Sequence, residues 1–130
     1  MTVTFDNPPG VRAPGGRYSH AARIAGGAAR LVISGQIGVT TDGRVPPDGE
    51  AQIAQALANL KAVLAGHGLG FANIVKVTVF LTDTALIGPW RSLRSAAFGD
   101  HAPASTLLVV AGLADPAYVV EVEAEAVFPA

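Results

Sequence analysis

The sequence predicts an α+β fold in which two helices cover one face of a mixed β-sheet. Two patterns carry that expectation. Ile53, Leu57, Leu60 and Leu64 recur at three-to-four spacing, the period of a helix with one buried side. Tyr118, Val120, Val122, Ala124, Ala126 and Phe128 alternate with Glu121, Glu123 and Glu125, the period of a strand with one dry and one wet face. A chain of 130 residues is expected to form a single domain over residues 1–130. Elements with one apolar side each are buried most simply in two packed layers.

Each element has its own local reason. Residues 1–17 hold Pro8, Pro9, Pro14, Gly10, Gly15 and Gly16, and read as an extended, turn-rich lead-in with a short strand at Val3–Phe5. Tyr18–Ile24 and Arg30–Val39 are strands, and Gly26-Gly27 between them is a hairpin signal. A loop through Thr41-Asp42-Gly43 and Pro46-Pro47 delivers the chain to the first helix, which Gly66 and Gly68 end. Ile74–Leu81 is almost wholly β-branched or large and apolar, hence a strand. Thr82 or Asp83 caps a second helix with apolar positions Leu86, Trp90, Leu93 and Ala97. Strands at Thr106–Val110 and Tyr118–Phe128 follow, split by a turn at Ala114-Asp115-Pro116. The order is β-β-α-β-α-β-β. The three glutamates of the last strand need water or counter-charges, and Lys76 is one candidate if its strand lies next door.

Composition narrows the partners. Charged residues make up 15% of the chain, against about 25% in ordinary domains, while apolar residues reach 50%. A small domain with so few charges is expected to bury part of its surface against other subunits. The net charge is −1, and no two of the nine basic residues are adjacent. Nucleic-acid binding, which draws on clustered phosphate neutralisation, is therefore not expected. The longest apolar run, Leu107–Ala114, is eight residues, well short of the ~18 that a membrane span needs. Met1–Gly10 lacks the layout of a signal peptide, so a cytoplasmic location is expected. The chain has no cysteine, and His20, His67 and His101 have no partners at metal-ligand spacing, so no metal site is expected.

Five blocks in register resemble the RidA/YjgF family. They are Tyr18 with Ile33-Ser34-Gly35-Gln36-Ile37-Gly38-Val39; Glu50-Ala51-Gln52 with Asn59-Leu60-Lys61; Ile74 through Asp83; Pro103-Ala104; and Val120-Glu121-Val122-Glu123-Ala124. The resemblance covers about Tyr18 to Val127. It implies a chorismate-mutase-like fold, a homotrimer with ligand clefts between subunits, and no cofactor. It also implies hydrolysis of 2-imino acids and their enamine tautomers to 2-keto acids and ammonia.

By that resemblance Glu121 is the carboxylate that activates the attacking water, Tyr18 a cleft tyrosine, and Ser34 a site-lining residue. The chain departs from the family at one telling position. The arginine that follows the Pro-Ala pair, and suits a substrate carboxylate through its planar fork, is here Ser105, followed by Thr106. Arg91 on the second helix, and more weakly Arg17, are the candidate replacements; the plainer reading leaves Arg91 and Arg94 as solvated helix charges. Three functions stay open. One is an imine deaminase acting on a small carboxylic, carbonyl or imine metabolite. Another is a non-catalytic metabolite-binding or regulatory homologue, favoured by Ser105. The last, and least expected, is a ribonuclease.

Overall fold

Residues 2–130 are described by a computed structural model. The chain runs β1 (Val3–Asp6), β2 (Ala21–Ile24), β3 (Arg30–Ile37), α1 (Gly49–Ala65), β4 (Ile74–Leu81), α2 (Ile87–Phe98), β5 (Ala104–Val109) and β6 (Val120–Val127). Strands β3, β6, β4 and β5 form one mixed sheet in that spatial order, and β1 pairs with β2 apart from it. Only β4 and β5 run parallel in the larger sheet, joined by the α2 crossover; the β3–β6 and β6–β4 pairs are antiparallel. The α+β expectation holds, with two helices against one face of a mixed sheet.

The dry face of β6 supplies Val120, Val122, Ala124 and Ala126, all buried. They join Val77, Val79 and Leu81 of β4 and Ile53, Leu57, Leu60 and Leu64 of α1 in one hydrophobic cluster. Each large side chain removed from water there contributes about 1.5–3 kcal/mol before the entropy of ordering it. Asp48 opens α1, accepting from the Ala51 amide at 2.8 Å. Gln52, 3% exposed, donates to the carbonyls of Pro46 and Ala117 and accepts from the Val119 amide. Asn59 donates to the carbonyls of Ile37 and Val39. Two of the family-like polar residues on α1 are therefore structural ties between the helix and the ends of its neighbouring strands.

Two expectations are corrected. The Gly26-Gly27 turn does not join a paired hairpin, because β2 bonds to β1 of the lead-in and β3 to β6. Lys76 is not the counter-charge of the last strand, although it stands opposite Glu125. Its Nζ donates to the Thr106 hydroxyl at 2.6 Å, and Arg30 pairs with Glu125 at 2.7 Å. The expected apolar positions of α2 do meet the core, Trp90 buried and Leu86, Leu93 and Ala97 half-buried against it, and Arg94 and Phe98 are buried beside them. Asp83 does cap, but it caps the single 3₁₀ turn Thr84–Leu86 that leads into α2, through the Ala85 amide. No helix among the described residues is long and apolar enough to cross a membrane.

Candidate functional site

The predicted strand Tyr18–Ile24 is broken, and the break positions the first functional side chain. The His20 amide bonds the Asn7 side chain, so regular pairing to β1 begins only at Ala21. Before that, Ser19 crosses to β5. Its amide reaches the Pro103 carbonyl at 3.2 Å and its hydroxyl the Ala102 carbonyl at 2.7 Å, beside a parallel bridge to Ala104. Tyr18 is thereby held next to the start of β5, with its ring edge-on to His20.

A cavity of about 600 Å³ opens between this lead-in, α2 and β5. Tyr18, Arg91 and Ser105 all line it, together with Arg17, Arg94 and Ser95. Ser105 reaches it because it stands opposite Val77 in the parallel register, and so points to the helical side of the sheet. Trp90, 2% exposed, closes the inner wall. Among the described residues no carboxylate lines the cavity.

The three arginines are held differently. Arg94 is 6% exposed, which overturns its reading as a solvated helix charge. It donates to the main-chain carbonyl of Arg17, and its guanidinium lies over the Phe98 ring at 5.0 Å. Burial, and then the neighbouring charge of Arg17, lower its pKa from the ordinary arginine value. Arg17 is exposed and donates one N–H to the Gly99 carbonyl at 3.1 Å. Arg91 is exposed at the cavity and has no hydrogen-bond or ion-pair partner among the described residues. Each guanidinium carries five donors, so all three retain unused hydrogen-bonding capacity toward an anion. The i, i+4 spacing of Arg94 between Trp90 and Phe98 was the available signal for its inward position.

The remaining candidates lie on the other face of the sheet. Thr106 is exposed there, accepting from Lys76. Ser34 is exposed beside a shallow cavity of about 370 Å³ that Lys76, Thr78, Glu123 and Glu125 also line. Glu121 stands opposite Ile37 and Phe80, and its carboxylate lies over Gly35, where a β-carbon would fall 1.8 Å from Oε2. The irregular register between Ile33 and Gln36 surrounds that glycine. Gly35 thus makes room for the Glu121 side chain, and Gly38 allows a close backbone approach to the Gln52 carbonyl. Within one copy of the chain, the sheet separates Tyr18, Arg91 and Ser105 from Ser34, Thr106 and Glu121. His101 belongs to neither group. It is half-buried, bonded to the Ile74 carbonyl at 2.7 Å and edge-on to Phe5.

A layered sheet-and-helix domain with an arginine-lined cavity at a sheet edge, and a glutamate seated over a glycine across the sheet, defines a small α+β protein. The chain belongs to the RidA/YjgF family. The family described as endoribonuclease L-PSP matches residues 10–128. The chain is 38% identical to the 2-iminobutanoate/2-iminopropanoate deaminase of Escherichia coli K12 over 130 aligned residues, 97% of this chain and 94% of that enzyme. It is 36% identical to the rat protein of the same name over 114 residues, 86% of this chain and 80% of the other. Among solved structures, the Rid-family protein YyfB of Yersinia pestis superposes with a TM-score of 0.86 at 29% identity, covering 98% of this chain and all 100% of that one. RidA of an Antarctic Psychrobacter gives 0.73 at 28% identity, covering 98% and 99%.

Proposed function

We propose that the protein hydrolyses 2-imino acids to 2-keto acids and ammonia in a cleft formed between copies of the chain, with Arg91 holding the substrate carboxylate. The observation that carries this reading is the meeting of Arg91, Tyr18 and Ser105 at one cavity. A free guanidinium there offers the bidentate, charge-assisted contact that Ser105 does not. Relatives named as imine deaminases, aligned over nearly the whole chain, support the reaction class.

The chemistry needs no redox partner. Glu121 of a second copy takes a proton from water, and the water oxygen bonds to C2 of the imine. The imine nitrogen takes up protons and leaves as ammonia while the C2 carbonyl forms. Tyr18 donates its hydroxyl to the ligand from the cavity wall. Because Glu121 and the cavity lie on opposite faces of one sheet, this reading requires an assembly, and the family resemblance supports a homotrimer.

A second reading, a non-catalytic metabolite-binding protein, is favoured by the fact that the arginine cavity forms within a single copy without Glu121. Ribonucleolysis ranks last. Among the described residues the cavity lining has neither a histidine nor a carboxylate to serve as an acid–base pair.

The test is an assay in which an amino acid oxidase generates the imine in situ and ammonia release is followed. The wild-type protein is expected to accelerate release. Arg91→Ala is expected to lower kcat/KM by about ten- to a hundredfold, the scale of one lost charge-assisted contact at a partly exposed site. Adding Ser105→Arg to that variant is expected to restore part of the loss. No acceleration by the wild type, together with thermal stabilisation by a 2-keto acid, would replace catalysis with binding.

A further inference from the structure

Building on the imine-hydrolysis reading, we propose that the preferred ligand is a dicarboxylate, a 2-imino or 2-oxo acid whose second carboxylate is held by Arg17. The charge balance of the cavity points to this. Arg17, Arg91 and Arg94 line one space, and no carboxylate among the described residues lines it with them. A monocarboxylic substrate offsets only one of these charges. The reactive form of an imine is its protonated, cationic form, which three guanidinium groups disfavour. A second carboxylate offsets that repulsion and lets the iminium persist next to the arginines.

The arginines are also arranged for two separate anchoring tasks. Arg91 projects from α2 without a partner among the described residues, available to the carboxylate next to the reacting carbon. Arg17 reaches the same cavity from the lead-in, on the Tyr18 side. Its guanidinium is tethered by a single N–H to Gly99, and its main chain by the buried Arg94. Arg94 is thus a positioning residue. It fixes the Arg17 segment and adds a desolvated positive charge behind it, the reason its own pKa is depressed. A volume of about 600 Å³ lies within the ~300–1,000 Å³ of small-molecule sites.

The test compares two stable 2-oxo acids with the same carbon chain, 2-oxoglutarate and 2-oxopentanoate, by titration calorimetry at fixed ionic strength, with inorganic phosphate as a third ligand. The wild-type protein is expected to bind the diacid about tenfold more tightly than the monoacid, the scale of one further charge-assisted contact. It should also bind the diacid more tightly than phosphate. Arg17→Gln is expected to bring the diacid-to-monoacid ratio close to one, while Arg91→Gln weakens both ligands. A wild-type ratio near one, a ratio that survives Arg17→Gln, or phosphate binding as tightly as the diacid would overturn the proposal. A preserved ratio without ammonia release from either imine counts against imine hydrolysis and leaves the dicarboxylate preference standing. Ammonia release with a ratio of one does the reverse.

Discussion

Two glycines three positions apart show how differently one missing side chain can be used. At Gly35 the neighbour of an added β-carbon is the Glu121 side chain; at Gly38 it is the Gln52 backbone, with the carbonyl oxygen 2.3 Å away. A carboxylate can swing aside, whereas a helix carbonyl cannot. Gly35→Ala is therefore expected to fold with little change in Tm and to lower imine turnover, because it displaces Glu121. Gly38→Ala is expected to cost about 1–3 kcal/mol of stability, read by urea denaturation, with the loss following from misplacement of α1. Asp42 offers a separate residue-level test. The Thr40 hydroxyl chiefly, and then the amides of Asp42 and Arg44, hold its exposed carboxyl below the ordinary 3.8. A depressed folded-state value favours the fold above the ordinary pKa, and the contribution fades as the pH falls through the folded value. Thr40→Val is expected to raise the Asp42 midpoint toward 3.8 in an NMR titration.

At the level of elements, the polar residues of α1 and α2 decide how the helices sit. Gln52 satisfies two carbonyls and one amide, in the loop before α1 and in the segment before β6. Gln52→Leu keeps the volume roughly and strands these groups, with an expected loss of about 2–4 kcal/mol by denaturant unfolding. The strongly periodic elements were legible from the sequence. Both faces of β6, the dry face of α1 and the run of β4 all follow from spacing alone, because burial on one side leaves a repeat. The pairing of β2 was not, since a diglycine turn constrains only its own few residues, whereas the partner is chosen by the distant Val3–Asp6 segment. Nor was the inward place of Arg94 on α2, although the expected positions Leu86, Trp90, Leu93 and Ala97 do meet the core. The usual exclusion of charge from interiors set that cation among the solvated residues. Part of the site was hidden with it. Residue type and resemblance single out Tyr18, Ser105 and Arg91 as candidates, but the support that Arg94 gives Arg17 depends on a contact across 77 residues.

For the whole molecule, the face of the sheet opposite the helices bears on assembly. Val32 on β3 is 70% exposed, and Leu108 on β5 is 44% exposed, large apolar side chains without cover in one copy of the chain. In the proposed homotrimer these surfaces are in contact and Glu121 meets the cavity of another subunit. Light scattering is then expected to give three times the 13.2 kDa of the chain. Val32→Asp is expected to yield a monomer with unchanged helical circular dichroism and no imine turnover. A monomeric wild-type protein would exclude the shared cleft.

The spatial order β3-β6-β4-β5 has a consequence for how the chain is made. Strand β6 lies between β3 and β4, yet it leaves the ribosome after every other strand of the sheet. Until Val120–Val127 emerges, β3 and β4 have no neighbour in common, and α1 has only part of the surface it packs on. Vectorial synthesis therefore presents the cell with a nascent chain in which β3, and the edge of β4 away from β5, wait unpaired for their central member. Stalled chains ending before Val120 are expected to be protease-sensitive and captured by chaperones, and release of the final strand to convert them in one cooperative step.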